Sequence, residues 1–341
     1  MSTILQEVAE RFGLAADPGG GGILGFSRLR GVIDGQKVVC ALTDRGARLE
    51  GIFEPALDLG LDVSTRQVTF IPTIGRKIAI GDSGFDEELD ATADEPGRAA
   101  LLFAGALRGA VLGLNATNMG LEMTDERVTV MAPLYDLKAA IDGLPKVARV
   151  AAMVAEARRS VPPAGPLNPY SEALGAFGRA RGFQVEKTPL SAVGRLRDAA
   201  VSARCVRTGR TAFDMEVRAA VPGGGDAMGL YVRRESLLDR ARTLLGGQDL
   251  RTGDPAFDPV FLVQATDAER AVAALDGDVR ALLLDLAARF DSVLLTGPEL
   301  MLLGAVQRVR AADMEMVLEA ASTVVERVVR ASGAVLRGPY R

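Results

Sequence analysis

The chain contains the same stretch of sequence twice, and this repeat constrains the fold more than any other feature. Residues 75–130 align without a gap onto residues 247–302 at a constant offset of 172. Fourteen of the 56 aligned pairs are identical, and they include a shared Gly-Asp-x-x-Phe-Asp motif. Internal repeats of this kind indicate repeated structural units. We therefore predict a tandem duplication of one module of roughly 150 residues.

The domain boundaries follow from the repeat and from one proline-rich segment. Residues 160–169 contain four prolines, which prevent a continuous helix and favour a semi-rigid linker. We predict a first module at 1–159, the linker at 160–169 and a second module at 170–341. Four consecutive glycines at 19–22 predict a flexible connector, because the Lys-Ser/Thr pair of a phosphate-binding loop does not follow them.

Apolar periodicity and turn residues predict an α+β fold, with a mainly antiparallel sheet packed by helices in each module. Asp34-Gly35 predicts a tight hairpin between strands at 30–33 and 37–42. Pro145 predicts an interruption in the helix that closes the first module. The helices are expected at 3–13, 96–116, 136–158, 170–181, 268–289 and 311–332, with Asp94 and Thr266 capping the second and fifth. The other strands are expected at 48–53, 59–63, 68–71, 200–206, 212–221 and 229–232, with hairpins at 120–131 and 293–303.

The shared motif supplies the residues that we single out as a structural signature. They are Gly81, Asp82, Phe85 and Asp86 in the first module and Gly253, Asp254, Phe257 and Asp258 in the second. The apolar alternation that follows predicts that the motif opens a strand in each module. Its glycines permit a positive φ, its aspartates are suited to turn amides, and its phenylalanines are expected to be buried.

The carboxylates of the signature allow two functional alternatives. The acidic run at 82–90 has the oxygen ligands that Ca²⁺ or Mg²⁺ prefers, and paired carboxylates can perform acid–base catalysis. The second module, however, replaces the additional acids with Pro259, Val260 and Leu262. We therefore expect a structural role, with no catalytic, cofactor-binding or metal-binding residue. The arginines at 98, 108, 270 and 280 are expected to pair with these aspartates.

The amino-acid composition argues against several classes of function. The chain has no histidine, which removes Ser-His-Asp and Cys-His catalysis and imidazole metal sites. A net charge of −4 argues against nucleic-acid binding, which depends on Lys and Arg. Cys40 and Cys205 stand in apolar contexts without metal-ligand spacing, so we expect buried, reduced thiols in a cytoplasmic protein.

One apolar segment approaches the length of a membrane span. Residues 99–121 carry a single charge, at Arg108, whereas the aligned residues 271–293 carry six. Because repeated elements should share one environment, we predict a buried helix and no membrane span. The N-terminal residues also lack the pattern of an export signal.

These observations favour a non-catalytic cytoplasmic protein of bacterial type, whose paired modules bind a protein partner or a second copy. No cofactor is expected. The alternative is an enzyme or small-ligand-binding protein that uses Asp and Arg in a cleft between the modules. An enzyme without histidine would have to rely on carboxylate, Lys, Tyr or cofactor chemistry.

Overall fold

The computed structural model describes residues 3–17, 28–66, 76–118, 120–133, 136–226, 228–234 and 250–333. The predicted strand at 68–71 and the glycine run at 19–22 lie outside these ranges. The chain divides into two compact units. The first comprises Met1–Ala164 with Lys187–Pro189, and the second comprises Gly165–Glu186 with Leu190–Arg341.

The first unit is an antiparallel sheet covered by helices. Its elements are α1 (Thr3–Phe12), β1 (Ala15–Ala16), β2 (Arg28–Ile33), β3 (Gln36–Leu42), β4 (Gly46–Ile52), β5 (Asp62–Thr65), β6 (Arg76–Lys77), α2 (Ser83–Glu88), β7 (Leu89–Ala93), α3 (Pro96–Leu102), α4 (Ala106–Ala116), β8 (Leu121–Thr124), β9 (Arg127–Pro133) and α5 (Leu137–Ala157). In the described residues the strand order is β1-β2-β3-β4-β9-β8-β5-β7-β6, and all neighbours are antiparallel. The β2–β3 hairpin turns at Asp34-Gly35, which confirms that prediction.

Helix α5 packs across β3, β4 and β9 and forms the core with them. The helix and the sheet approach closely at Gly51, where a Cβ would lie 2.6 Å from the carbonyl oxygen of Val147. The predicted interruption of this helix was wrong, because α5 runs through Pro145 without a break. Proline removes one backbone hydrogen bond, but Leu144 and Val147 on either side of it are fully buried against the sheet.

The second unit has the same kind of construction. Its elements are α6 (Asn168–Arg181), β10 (Gln184–Lys187, whose last residue is assigned to the first unit), β11 (Leu190–Leu196), β12 (Ala199–Arg207), β13 (Phe213–Ala220), β14 (Tyr231–Arg234), β15 (Phe261–Gln264), α7 (Ala268–Ala274), α8 (Gly277–Arg289), β16 (Ser292–Thr296), β17 (Glu299–Ala305) and α9 (Met314–Ala331). The described strands follow the order β10-β11-β12-β13-β17-β16-β14-β15, antiparallel from β11 onward. Helix α9 packs on β12, β13 and β17.

The two sheets share one strand order. The series β2-β3-β4-β9-β8-β5-β7 in the first unit corresponds to β11-β12-β13-β17-β16-β14-β15 in the second. Two antiparallel sheets packed by helices confirm the predicted α+β class. The tandem duplication remains our interpretation of the sequence repeat.

The shared motif forms helical turns, so the prediction that it opens a strand was wrong. Asp82 caps the short helix α2, and residues 255–260 form consecutive turns at the aligned place. The strands begin four residues after each phenylalanine, at Leu89 and Phe261. An aspartate that accepts the amide three residues ahead starts a helical turn, and the alternation of apolar residues did not reveal this. Phe85 and Phe257 are fully buried, as predicted.

The predicted helices at 96–116 and 268–289 are each broken in two. Gly105, at φ +75°, separates α3 from α4, and residues 275–276 separate α7 from α8. Glu95 and Asp267 occupy the N-cap positions, one residue later than predicted. The expected caps Asp94 and Thr266 lie beside Gly60 and Gly229 instead, in space that a side chain there would fill.

Candidate functional site

Asp82 and Asp254 make the same backbone hydrogen bond in the two units. Asp82 Oδ1 accepts from the amide of Phe85 at 3.0 Å, and Asp254 Oδ1 accepts from that of Phe257 at 3.2 Å. Such bonds satisfy amides at the start of a helical turn that would otherwise have no partner. The two side chains therefore fix the turn that buries each phenylalanine.

The second aspartate of each motif accepts from the loop that precedes it. Asp86 Oδ2 accepts from the amide of Gly81 at 3.1 Å, and Asp258 Oδ2 accepts from that of Gly253 at 3.0 Å. Both glycines have a positive φ, +75° and +80°, which other residues rarely adopt. The eight signature residues thus come together as one local turn in each unit.

An arginine from the next helix pair holds the first aspartate of each motif. Arg108 Nε lies 3.1 Å from Asp82 Oδ2, and Arg280 Nε lies 2.9 Å from Asp254 Oδ2, which confirms the prediction for these two arginines. The backbone amide of Ala256, followed by the Arg280 side chain, lowers the pKa of Asp254. A carboxylate held in its charged form in this way is a poor general acid or base near neutral pH.

The corresponding prediction for Arg98 and Arg270 was wrong. Arg98 is buried, with its guanidinium 2.9 Å from Asp58 Oδ1 and 2.8 Å from the carbonyl oxygen of Pro162. Arg270 is exposed and pairs with Asp267. Because α3 and α4 are separate helices, Arg98 and Arg108 do not share the helix face that an unbroken helix would give them.

Asp125 is a structural carboxylate that the sequence analysis did not single out. It accepts from the amides of Leu59, Gly60 and Leu61 at 2.8–3.3 Å, and burial raises its pKa. The second unit has a glycine at the aligned position 297, and Asp226 accepts there from the amide of Leu230. Asp226 thus accepts one backbone amide, whereas Asp125 accepts three.

Candidate metal and thiol chemistry is limited in the described part of the chain. It contains no group of three or more Cys, Asp or Glu residues placed to hold a metal ion. Cys40 and Cys205 are both buried, as predicted, and neither is in a disulfide. Burial raises the pKa of Cys40 to about 12, so its thiol stays protonated and unreactive at neutral pH.

The candidate binding surfaces lie on the open face of each sheet, the face that points away from the core helix. In the first unit this face bears a cavity of about 690 Å³, which we call the first-sheet groove. It is lined by Thr43, Asp44, Arg45, Arg48, Ser64, Thr65, Asp90, Gly120, Leu121, Glu122, Thr129, Val130 and Met131. Hydroxyl and charged side chains dominate this lining.

Some charged groups of the groove are already paired. Arg48 Nε lies 2.8 Å from a Glu50 carboxylate oxygen, and Arg66 Nε lies 3.1 Å from Asp90 Oδ1. Glu122 and Asp44, in contrast, have no ion pair or side-chain hydrogen bond within the described ranges. These carboxylates remain available to a ligand.

The open face of the second sheet is more apolar and more basic. Leu294, Met301 and Leu303 form an apolar group, which we call the second-sheet patch together with Arg218 and Arg233. Leu303 is 37% exposed, although it lies in the middle of a strand. A shallow cavity of about 360 Å³ adjoins the patch, lined by Tyr231, Arg233, Arg234 and residues 291–294.

The groove and the patch occupy equivalent places in the two sheets. Cross-strand pairing places Thr129, Glu122, Ser64 and Asp90 in one row across the first sheet. The equivalent row of the second sheet is Met301, Leu294, Arg233 and Leu262. The two units thus share the turns of the repeated motif, but the side chains in this row are polar in the first sheet and mostly apolar in the second.

Neither surface was predicted from the sequence, because the predicted site residues were those that the two units share. Of the acidic run at 82–90, Asp90 lines the groove, whereas the signature aspartates do not. The groove and the shallow cavity beside the patch each lie within a single unit. The available signal was the contrast between aligned residues of β9 and β17, because Thr129 stands where the second strand has Met301.

In the described residues no single helix is long and apolar enough to cross a membrane. Helices α3 and α4 meet the length and composition criteria only as a pair, and the pair is bent by 83°.

No protein family model matches the chain, and no curated protein matches it. Among solved structures, the crystal structure of the mycobacterial trehalose monomycolate transport factor A is similar at a TM-score of 0.35 and 11% sequence identity. That similarity covers 46% of this chain and 94% of the other. A TM-score of this size does not establish a common fold.

Proposed function

We propose that this protein is a non-catalytic cytoplasmic binding protein that takes a protein partner on the second-sheet patch. The observation that carries the proposal is the exposure of Leu303 beside Met301 and Leu294, on a sheet face that an isolated protein would keep polar. Apolar side chains that are grouped and surrounded by charged ones are typical of protein interfaces.

The charges around the patch indicate the chemistry of the partner. Arg204 and Arg218 both contact Glu216, at 3.3 and 2.6 Å, and Arg233 adds a third positive charge. Arg218 also lies 3.9 Å from a Glu299 carboxylate oxygen, so two carboxylates stand beside three arginines around the patch. The partner surface is therefore expected to combine an apolar contact with acidic groups, since complementary potentials favour association.

The signature residues support a non-catalytic role. The four aspartates accept hydrogen bonds from turn amides, and Asp82 and Asp254 also contact arginines. Their hydrogen-bonding capacity is thereby used within the fold.

The proposal is tested by capturing partners with the full chain and comparing two variants. Leu303→Asp places a negative charge in the patch and should remove the specific partner. Val32→Asp introduces the same charge at a strand residue of the first sheet, 57% exposed, and should leave capture unchanged. Photo-crosslinking from Met301 would show whether the captured chain contacts the patch and whether it is a second copy. Capture that is equal for both variants would contradict the proposal.

A further inference from the structure

The first-sheet groove is a site of a different kind from the second-sheet patch. Its volume of about 690 Å³ falls in the range of small-molecule sites. Its described lining residues include no aromatic side chain and few apolar ones. A ligand of this groove must therefore be polar.

Thr129 gives the groove a buried hydroxyl that has no partner. The residue is 5% exposed, and its Oγ1 makes no hydrogen bond within the described chain. Burying a hydroxyl without a partner destabilises the folded state. The equivalent residue of the second unit is Met301, which carries no such cost. A ligand donor that reaches Thr129 would remove the penalty.

The charges of the groove favour a cation. Its lining contains three carboxylates, Asp44, Asp90 and Glu122, and two guanidinium groups, Arg45 and Arg48. Arg48 is offset by Glu50, which lies outside the lining. Asp90 has only a half-exposed pair with Arg66, and pairs of that kind contribute little.

The spacing of the carboxylates suggests the form of the cation. Glu122 lies opposite Ser64, and Ser64 lies opposite Asp90, so the two carboxylates are two strands apart. Adjacent strands are separated by about 4.8 Å, which places these side chains about 10 Å apart in one row. Thr129 extends the row on the other side of Glu122.

We propose that the first-sheet groove binds a linear aliphatic polyamine. Its ammonium groups donate to Glu122 and Asp90 at either end, and its N–H groups reach the hydroxyl oxygens of Ser64 and Thr129 between and beside them. An extended spermidine molecule covers the distance between the carboxylates. The second unit has leucines in place of both carboxylates, at 294 and 262, and does not bind such a cation.

Calorimetric titration of the full chain with spermidine and with putrescine tests the site. Glu122→Gln should weaken spermidine binding about tenfold or more, because it removes a charge-assisted hydrogen bond. Glu87→Gln removes the same charge at an exposed residue of α2, outside the groove, and should bind like the unmodified chain.

The Thr129→Val variant distinguishes an effect on ligand binding from an effect on the stability of the fold. It should raise or preserve the melting temperature of the free protein and still weaken spermidine binding. Thr92→Val is the matched control, because Thr92 also buries an unpartnered hydroxyl but does not line the groove. No binding at about 1 mM spermidine, or binding that Glu122→Gln and Thr129→Val leave unchanged, would overturn the proposal. The protein-partner proposal depends separately on the Leu303 variant.

Discussion

Arg98 and Arg270 occupy the same position of the sequence repeat, yet the side chain of Arg98 is 8% exposed and that of Arg270 is 61% exposed. The first forms a buried ion pair with Asp58, and the second forms a surface pair with Asp267. Identity in the alignment therefore does not imply an identical environment.

We expect Arg98→Ala to destabilise the first unit by about 3–5 kcal/mol, because it leaves the buried Asp58 carboxylate without its arginine. Arg270→Ala should change stability by no more than about 0.5 kcal/mol, as for other exposed pairs. Urea unfolding, followed by hydrogen exchange in each unit, measures both effects. Equal effects of the two substitutions would contradict the assigned environments.

Alanine substitutions at Gly60 and Gly81 distinguish the cost of backbone strain from the cost of steric crowding. Both glycines have a positive φ, +62° and +75°. A Cβ at Gly81 would meet no atom of the described residues within 4 Å, whereas at Gly60 it would lie 2.6 Å from Asp94 Cγ. Gly81→Ala should cost about 1–2 kcal/mol from strain alone, and Gly60→Ala about 2–5 kcal/mol, since overpacking is added. Chemical denaturation measures the loss of unfolding free energy for each variant. A larger loss for Gly81→Ala than for Gly60→Ala would contradict the prediction.

The lowered pKa of Asp254 sets a direction for the pH dependence of stability. The folded state binds this proton less readily than the unfolded state, in which an aspartate titrates near pH 3.9. Its stabilising contribution is therefore complete above about pH 4 and is lost as the pH falls through the lower, folded-state pKa.

Asp254→Asn should accordingly be less stable than the unmodified chain at pH 6, and the difference should shrink below about pH 4. Asp142→Asn is the control, because Asp142 is exposed on α5 and has no ion pair in the described residues. Melting curves from pH 7 to acid provide the measurement. If the stability difference between Asp254→Asn and the unmodified chain grew on acidification, the predicted direction of the pH dependence would be wrong.

Cys40 should react slowly with thiol reagents in the native protein, since burial holds its thiol in the protonated form. Labelling with an aromatic disulfide at pH 8 should be slow for both cysteines and become rapid in urea. The Cys40→Ala and Cys205→Ala variants assign each phase. Immediate labelling of Cys40 without denaturant would contradict its burial.

Much of the fold could be predicted from local sequence. Asp34-Gly35 specifies its hairpin through turn geometry, and the buried Phe85 and Phe257 follow from their place beside an apolar strand. The path of α5 through Pro145 could not be predicted, because tertiary burial of Leu144 and Val147 outweighs the local cost of proline.

The candidate sites were harder to predict, because they depend on pairing between strands that are distant in sequence. Ser64 and Glu122 are 58 residues apart and lie opposite each other in the sheet. The sequence repeat draws attention to what the units share, such as Asp82 and Asp254. The groove and the patch are formed where Thr129 and Met301 differ.

We propose that the repeated aspartates serve the fold and that binding resides at the residues that differ between the two units. The most direct test follows the melting temperature during titration with Ca²⁺, Mg²⁺ and Mn²⁺, for the unmodified chain and for Asp82→Asn and Asp254→Asn. We expect both variants to melt at lower temperature, because each loses a turn carboxylate, and no cation to cause a saturable rise. A saturable rise in the unmodified chain that disappears in either variant would make the motif a metal site and contradict the account.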